Sequence, residues 1–295
     1  MASVRAGQVI GKSRLISGIA RVDLRVQDVE RGLGFYRDVV GLEVAEGDGS
    51  HAALRSPEGD VFLTLESSGV TQPADPTATG LFHTAFRFPT RADLGDALAR
   101  LVDARHGVGA GDHLVSEVLY VDDPDGNGVE LYWDRPVEEW PPPTGDMLVP
   151  MATLPVDLDG LLASGRRGEA VGEPAPAGTD IGHVHLQVSD IDATVRFYVE
   201  ELGLDLTAKL GRNAGFFSSH GYHHNIGANT WRSLGSKPAG REHAGLERVV
   251  FAVTDGNELE GLRERLAEFE NESGLGDDIL IVHDPDGIEL QFVTH

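Results

Sequence analysis

The stretch 111-GDHLVSEVLYVDDPDGNGVE-130 contains two strand-like runs around a tight turn. The runs VLYV and VELYW are rich in β-branched and aromatic residues, which is typical of strands. The sequence Asp-Pro-Asp-Gly between them has the composition of a turn. Such a strand–turn–strand unit brings the Tyr120 phenol and the Glu130 carboxylate onto neighbouring strands, with His113 shortly before them. The stretch therefore predicts a hairpin that carries chemically useful side chains.

The chain also contains an internal repeat. Eight residues between Val22 and Leu42 recur unchanged 162 positions later, between Val184 and Leu204. The Asp-Pro-Asp-Gly turn recurs at 284–287. Repetition at one fixed offset indicates a duplicated fold.

Each copy in turn contains two similar halves, each of which opens with a strand. In the second half of the first copy, a strand pattern at 81–88 is followed by a helical pattern at 91–104. In that helical pattern, Leu94, Leu98 and Leu101 recur on one face.

This organisation predicts an α+β fold of four βαβββ halves. The halves lie at about residues 18–67, 80–135, 181–232 and 245–294. They form an N-terminal domain at 18–135 and a C-terminal domain at 181–295. Residues 136–180, rich in Pro, Gly and charge, predict a linker with one short helix near 158–163.

The composition narrows the class of partner. With 48 acidic and 24 basic residues among 295, the formal charge of -24 disfavours binding to nucleic acid and to anionic membranes. The chain has no cysteine, which excludes disulfides and thiolate metal sites. No apolar run reaches membrane-spanning length, and the first residues lack the apolar core of a secretion signal. We therefore expect a cytoplasmic protein, and the sequence does not exclude a homo-oligomer.

The order Gly-x-His-x5-Leu-Tyr-x2-Asp-Pro-x-Gly-x3-Glu at 111–130 resembles the motif of extradiol ring-cleavage dioxygenases. The whole organisation resembles the vicinal oxygen chelate superfamily, and within it the two-domain catechol 2,3-dioxygenase-like proteins. The segments that carry this resemblance are GLFHTAF at 80–86, DHLVSEVLY at 112–120, GHVHLQVSD at 182–190 and GYHHNIGANTW at 221–231. The resemblance implies two tandem vicinal oxygen chelate domains with cupped mixed sheets. It also implies an Fe(II) enzyme, with Mn(II) as the alternative metal, that cleaves a small catechol-type aromatic with O2.

In that superfamily two halves form one cup, and the metal ligands come from first strands and from a last strand. The resemblance assigns the first-strand position, in halves one to four, to Arg21, His83, His183 and Arg248. It assigns last-strand carboxylates to Glu130 and Glu289, with Glu66 near the end of half one. Neither copy alone therefore supplies two histidines and a carboxylate.

A composite site resolves this shortage. If half two pairs with half three, His83, Glu130 and His183 form a face of two histidines and one carboxylate. That ligand set leaves positions of Fe(II) open for substrate and O2. Arg21 and Arg248 stay protonated and cannot bind a metal. We expect them to pair with the carboxylates Glu66 and Glu289 and to close the second cup.

A rival site lies wholly within the second copy. Its ligands would be His183, one of the adjacent pair His223 and His224, and Glu289. The fourth half has neither a tyrosine nor an upstream histidine at the positions that correspond to the 111–130 motif. The composite site is therefore favoured.

The resemblance also implies roles for side chains around the metal. His113 is the expected acid–base group, and Tyr120 is expected to hydrogen-bond a substrate oxygen. The predicted substrate contacts on the pocket wall are His223, His224, Asn229 and Trp231. The predicted apolar floor consists of Phe82, Phe86 and Phe217.

Other interpretations remain open from the sequence. A lone His83 on an apolar strand is more often a core histidine than a ligand, but its match with Glu130 favours a ligand. A glyoxalase-like isomerase or lyase would need a fourth protein ligand such as Glu66. A binding protein without a metal would not need to keep the ligand set.

Overall fold

The structure is a computed structural model, and it describes residues 11–166, 171–269 and 278–294. Half one contains β1 Ile16–Arg25, α1 Val29–Phe35, β2 Glu43–Gly47, β3 His51–Arg55 and β4 Val61–Glu66. Half two contains β5 Gly80–Arg87, α2 Arg91–Asp103, β6 Gly109–Asp112, β7 Ser116–Asp122 and β8 Gly128–Asp134. The connecting segment contains a 3-10 turn, Val137–Glu139, and α3 Leu158–Ser164.

Half three contains β9 Asp180–Gln187, α4 Ile191–Arg196, β10 Asp205–Leu210, β11 Ala214–Ser218 and β12 Ile226–Asn229. Half four contains β13 Gly245–Val253, α5 Gly256–Glu268, β14 Ile279–His283 and β15 Glu289–Val293. Three halves thus show the predicted βαβββ order. In half four the described residues show two strands after the helix, and residues 270–277 of that predicted half lie outside the described chain.

The two sheets each combine one half from either copy. The eight-stranded sheet has the order β10-β11-β12-β9-β5-β8-β7-β6, and the seven-stranded sheet has the order β14-β15-β13-β1-β4-β3-β2. Their centres are the antiparallel pairs β5 with β9 and β1 with β13. Half two therefore pairs with half three, and half one with half four, as the composite interpretation requires.

The duplication extends to local structure. The helices α1 and α4 begin at Asp28 and Asp190, whose side chains accept hydrogen bonds from first-turn N–H groups. Each helix continues into a π-helical turn, Tyr36–Val40 in one copy and Phe197–Glu201 in the other. Gly41, with φ of 96°, ends the first of these, as glycine can because it has no Cβ.

Buried tyrosines connect these helices to the repeated turns. Tyr36 donates a hydrogen bond to Asp123 over 3.0 Å, and Tyr198 donates to Asp284 over 3.3 Å. The Asp284 carboxylate also accepts from the N–H groups of Asp286 and Ile288. The turn of each second half is thereby held against the helix of the first half of its own copy.

The connecting segment is hydrogen-bonded to both edge strands of the eight-stranded sheet, β10 and β6. The N–H groups of Leu148 and Val149 both donate to the Thr207 carbonyl. Leu154 exchanges backbone hydrogen bonds with Asp112. The segment that the sequence predicts as a linker therefore contacts both half two and half three. In the described part of the chain, no helix is long and apolar enough to cross a membrane.

Candidate active site

Three buried side chains meet on one face of the eight-stranded sheet. In the backbone register, Ala85 of β5 lies between Glu130 of β8 on one side and His183 of β9 on the other. His83 is two residues before Ala85 and therefore points to the same face. The ligand atoms of His83, Glu130 and His183 all lie within 4.8 Å of one another. The fold thus brings together the residues of the composite site.

The electrostatics of this cluster suit a cation. Burial and the neighbouring imidazoles lower the pKa of His83 and His183 well below the ordinary histidine value. Burial raises the pKa of Glu130 to about 7. Nε2 of His83 lies 3.1 Å from Glu130 Oε2, yet it makes no hydrogen bond. Neutral imidazoles beside a carboxylate are ligands that a divalent transition metal prefers, so these residues fit such an ion.

A glycine allows the strands to approach at this point. A Cβ on Gly128, the first residue of β8, would lie 2.0 Å from the Phe82 carbonyl oxygen and 3.2 Å from Cβ of His83. Any side chain at this position would push β8 away from β5. Gly128 therefore allows β8 to lie close enough to β5 for Glu130 to approach His83.

His113 and Tyr120 form a hydrogen-bonded pair on the wall of the same cavity. Nδ1 of His113 lies 2.7 Å from the Ala152 carbonyl oxygen, and Nε2 lies 2.7 Å from the Tyr120 hydroxyl. A carbonyl can only accept, so Nδ1 carries a proton and donates to it, while Nε2 shares a hydrogen bond with the phenol. Burial and the nearby Glu130 raise the pKa of Tyr120 well above its ordinary value. Tyr120 thus lies between the metal cluster and His113.

The adjacent residues His223 and His224 differ in their position relative to the cavity. His224 lines the cavity, whereas His223 lies behind it, with its Nδ1 2.7 Å from Nδ1 of His224. Nε2 of His223 donates to Asp134 over 2.9 Å, and Tyr222 donates to the other oxygen of the same carboxylate. The structure therefore does not place His223 on the pocket wall, because its second ring nitrogen is held by Asp134.

Of the other residues predicted on the pocket wall and floor, some line the cavity and some do not. Trp231 lines the cavity and is 53% exposed. Asn229 is fully buried outside the lining, and its side-chain oxygen accepts from the Trp231 N–H. Of the predicted apolar floor, Phe82 lines the cavity, while Phe86 and Phe217 lie in the hydrophobic core. Asn229 thus holds the turn that carries Trp231 and does not reach the cavity itself.

The second cup is occupied by ion pairs. Arg248 lies 3.2 Å from Glu289 and 3.1 Å from Asp23, and Arg21 lies 2.6 Å from Asp23. The predicted pair of Arg248 with Glu289 is confirmed. The predicted partner Glu66 is wrong, because its carboxylate accepts from the Ser68 N–H instead. The rival metal site is also wrong, because Glu289 lies on β15 of the seven-stranded sheet, whereas His183 lies on β9 of the eight-stranded sheet.

Some residues around the site were given no role from the sequence. The alternation HVH at 183–185 places His185 on the face of His183, and His185 lines the cavity 5.0 Å from the His83 ring. The contribution of Ala152 is a backbone carbonyl, which no side-chain pattern reveals. Asp134 is one of many acidic residues, so nothing in the sequence singled out its contact with His223.

The cavity that joins these groups has a volume of about 740 Å³. One side holds the His113–Tyr120 pair, and the connecting segment covers it with residues 151–153. The other side holds Phe82, His185 and Trp231. Volumes of about 300–1,000 Å³ are usual for small-molecule sites, so the metal cluster opens into space for an organic ligand.

Comparison with known proteins identifies a matching family model and several similar dioxygenases. Residues 18–131 and 180–292 match the model of the Glyoxalase/Bleomycin resistance protein/Dioxygenase superfamily. A catechol-2,3-dioxygenase of Bacillus subtilis (strain 168) is 38% identical over 251 residues, which cover 84% of this chain and 87% of that protein. Biphenyl-2,3-diol 1,2-dioxygenase 3 of Rhodococcus globerulus is 37% identical over 107 residues, or 34% of this chain and 55% of the relative.

Solved structures share the fold at lower identity. A putative dioxygenase from Bacillus subtilis has a TM-score of 0.62 at 15% identity, over 96% of this chain and 86% of that one. Glyoxalase I from Zea mays has a TM-score of 0.54 at 15% identity, over 94% and 92% of the two chains. The predicted fold is confirmed, and the chain belongs to the glyoxalase/bleomycin resistance protein/dioxygenase superfamily as two tandem domains of its fold.

Proposed function

We propose that the chain is an Fe(II)-dependent extradiol dioxygenase that cleaves the ring of a catechol-type aromatic with O2. The observation that carries the proposal is one cavity lined by His83 and Glu130, the cluster that His183 completes from behind, and by the pair His113–Tyr120. The similarity to a catechol-2,3-dioxygenase over most of both chains supports the same chemistry. The small aromatic substrate and O2 are the partners that the proposal requires.

The metal would be held by His83, Glu130 and His183, which the fold brings together and whose chemistry fits a divalent ion. When bound, Fe(II), or Mn(II) on the same ligands, supplies a Lewis acid that favours ionisation of a catechol hydroxyl and a redox centre for O2. The protein buries all three ligand side chains, which strengthens their electrostatic interaction with the ion.

The proposed acid–base apparatus is the pair of Tyr120 and His113. The Tyr120 hydroxyl can hydrogen-bond a substrate oxygen, since it lies on the cavity wall beside Glu130. A proton from the substrate can pass through that hydroxyl to Nε2 of His113, which is 2.7 Å away. The Ala152 carbonyl keeps the His113 proton on Nδ1, so Nε2 stays available as the acceptor.

His224 contributes a further polar group to the cavity wall. Its Nδ1 is held by His223, which in turn is held by Asp134, so the orientation of the His224 ring is fixed. We propose that His224 and Trp231 contact the substrate. His223 and Asn229, which the sequence predicts as contacts, instead hold these two residues in place.

The test is anaerobic reconstitution of the protein with Fe(II), followed by addition of catechol and then air. A yellow ring-opened product with matching oxygen uptake is the expected result. Oxygen-independent conversion of a hemithioacetal would instead indicate an isomerase. Glu66, the example of a fourth protein ligand that an isomerase would need, lies in the other sheet. Location in the cytoplasm and a homo-oligomeric state stay predictions from the sequence.

A further inference from the structure

A series of hydrogen bonds leads from the cavity into the protein behind it. Nδ1 of His224, which lines the cavity, lies 2.7 Å from Nδ1 of His223, and Nε2 of His223 lies 2.9 Å from Oδ1 of Asp134. Tyr222 donates to Oδ2 of the same carboxylate over 2.7 Å. We call His224, His223 and Asp134 the His–His–Asp triad. Both ring nitrogens of His223 are thus engaged, which leaves Nε2 of His224 for a ligand in the cavity.

Packing holds both imidazole rings in place. The ring of His223, which is 1% exposed, lies 5.6 Å from the ring of Trp140 on the connecting segment. The His224 ring lies between the rings of His183 and Phe216, at centroid distances of 4.2 and 5.0 Å. Neither imidazole can turn to exchange its nitrogens without breaking these contacts, so the position of each proton decides what the ring can donate or accept.

Asp134 fixes the first of these protons. Burial alone would raise the pKa of Asp134, but the contacts with His223 and Tyr222 outweigh it and hold that pKa below its ordinary value. The side chain is therefore a carboxylate, which can only accept hydrogen bonds. Nε2 of His223 must carry a proton and donate it to Asp134.

The second proton follows from the charge near the metal cluster. A proton on Nδ1 of His223 as well would make an imidazolium whose ring lies 5.7 Å from that of His183, one of the proposed metal ligands. A second positive charge beside a bound cation is unfavourable in a buried place, and the same holds for His224 at 4.2 Å from His183. Nδ1 of neutral His223 therefore accepts, and Nδ1 of neutral His224 donates to it.

We propose that Asp134 is a positioning residue that fixes the tautomers of both histidines, so that His224 presents an unprotonated Nε2 to the cavity. In that form His224 accepts a hydrogen bond from a hydroxyl group of the ligand and does not donate one. The role toward the ligand rests on the proposed function, which supplies the diol, whereas the two tautomers do not depend on it.

Arg87 decides what an amide in place of Asp134 would do. Nη1 of Arg87 lies 3.8 Å from Oδ2 of Asp134, on the side where Tyr222 donates. Asp134→Asn should keep its oxygen beside these two donors and turn its NH2 group toward His223. Nε2 of His223 then becomes an acceptor, its proton moves to Nδ1, and the proton of His224 moves to Nε2. An amide in place of a carboxylate can impose the wrong tautomer on an imidazole in this way.

The first test measures the tautomers directly, by histidine 15N NMR of the protein loaded with Zn(II) as a diamagnetic ion. Protonated and unprotonated ring nitrogens differ in chemical shift, and His223→Gln and His224→Gln identify the two sets of signals. In wild type, Nδ1 of His224 should be protonated and Nε2 unprotonated, and Asp134→Asn should reverse them. A proton on Nε2 of His224 in wild type would overturn the inference, whether or not the protein cleaves a catechol.

The second test measures the consequence for turnover, in Fe(II)-loaded protein with catechol. Asp134→Asn should lower kcat by about 10²-fold or more at wild-type metal content, as expected when an acceptor in the site becomes a donor. The matched control is Asp180→Asn, which removes the other carboxylate partner of Arg87, at 2.6 Å, lies outside the triad and should leave kcat unchanged. Wild-type kcat in Asp134→Asn would contradict the role of Asp134. If wild type cleaves no catechol, the proposed function fails, and the NMR spectra still decide the tautomers.

Discussion

Single residues set the chemistry of the cavity, and Tyr120 shows how. The sequence placed its phenol and Glu130 on neighbouring strands, and the structure shows them directly opposite each other in the register. The motif predicted both Tyr120 and His113 at the site, but not the hydrogen bond between them. The bond from His113 to the Ala152 carbonyl could not be predicted either, because it depends on the path of the connecting segment.

Replacing Tyr120 by Phe removes the hydroxyl that joins the cavity to Nε2 of His113. We expect kcat for catechol cleavage to fall by about 10²- to 10⁴-fold, as is usual for loss of an acid–base group. Metal content should stay at the wild-type level, because Tyr120 is not in the ligand cluster. Steady-state kinetics with metal analysis on the same sample measures both, and a kcat within twofold of wild type would exclude the role.

Gly128 provides a test of how closely β5 and β8 must approach. Gly128→Ala places a Cβ 2.0 Å from the Phe82 carbonyl, so the backbone must shift. We expect the free energy of unfolding to fall by more than about 2 kcal/mol, together with weaker metal binding. Gly107→Ala, where a Cβ would have no neighbour within 4 Å, is the control and should be nearly neutral. Urea unfolding curves of the two variants give the comparison, and equal stability would show that the strand spacing is not tight.

Among the secondary-structure elements, some could be predicted from the sequence pattern and others could not. The predicted helix at 91–104 is confirmed as α2, because its leucines recur at helical spacing and Thr90 caps its start. The π-helical turns after α1 and α4 were not predicted, since the pattern of apolar residues does not distinguish one extra residue per turn. The path of residues 151–153 over the cavity depends on contacts distant in the chain, which composition does not report.

Asp284 links element packing to pH. Burial raises its pKa to about 7 in the folded protein, against an ordinary value near 4 when unfolded. Between these values the folded state binds more protons, so the free energy of unfolding should fall as pH rises from about 4 to 7 and then level off. The full effect would be at most about 4 kcal/mol, at about 1.4 kcal/mol per pKa unit.

Asp284→Asn isolates this contribution. The amide keeps an oxygen for the N–H groups of Asp286 and Ile288 but does not titrate. The stability difference between variant and wild type should therefore change by at least about 1 kcal/mol between pH 5 and 8, in favour of the variant at pH 8. Exposed Asp60→Asn serves as the control. Parallel pH profiles for wild type and Asp284→Asn, from urea unfolding, would contradict the account.

At the scale of the whole molecule, eight identical residues at one sequence offset indicated the duplication. The pairing of half two with half three was predicted because neither copy alone contains two histidines and a carboxylate at the ligand positions. The structure shows that pairing, in two sheets that each contain one half from either copy. Asp23 was not anticipated, because it enters the ion pairs of the second cup through the register of β1 with β13. One half of each copy thus builds the candidate metal centre, and the other two halves build an ion-paired counterpart.

The central claim is that one metal centre is built from both copies, and stoichiometric binding of Fe(II) under anaerobic conditions tests it directly. Wild type should bind one equivalent. His83→Ala in the first copy and His183→Ala in the second should each lose tight binding, while Glu289→Gln in the other sheet should retain it. Full binding by His83→Ala, or loss of binding in Glu289→Gln, would contradict the composite centre.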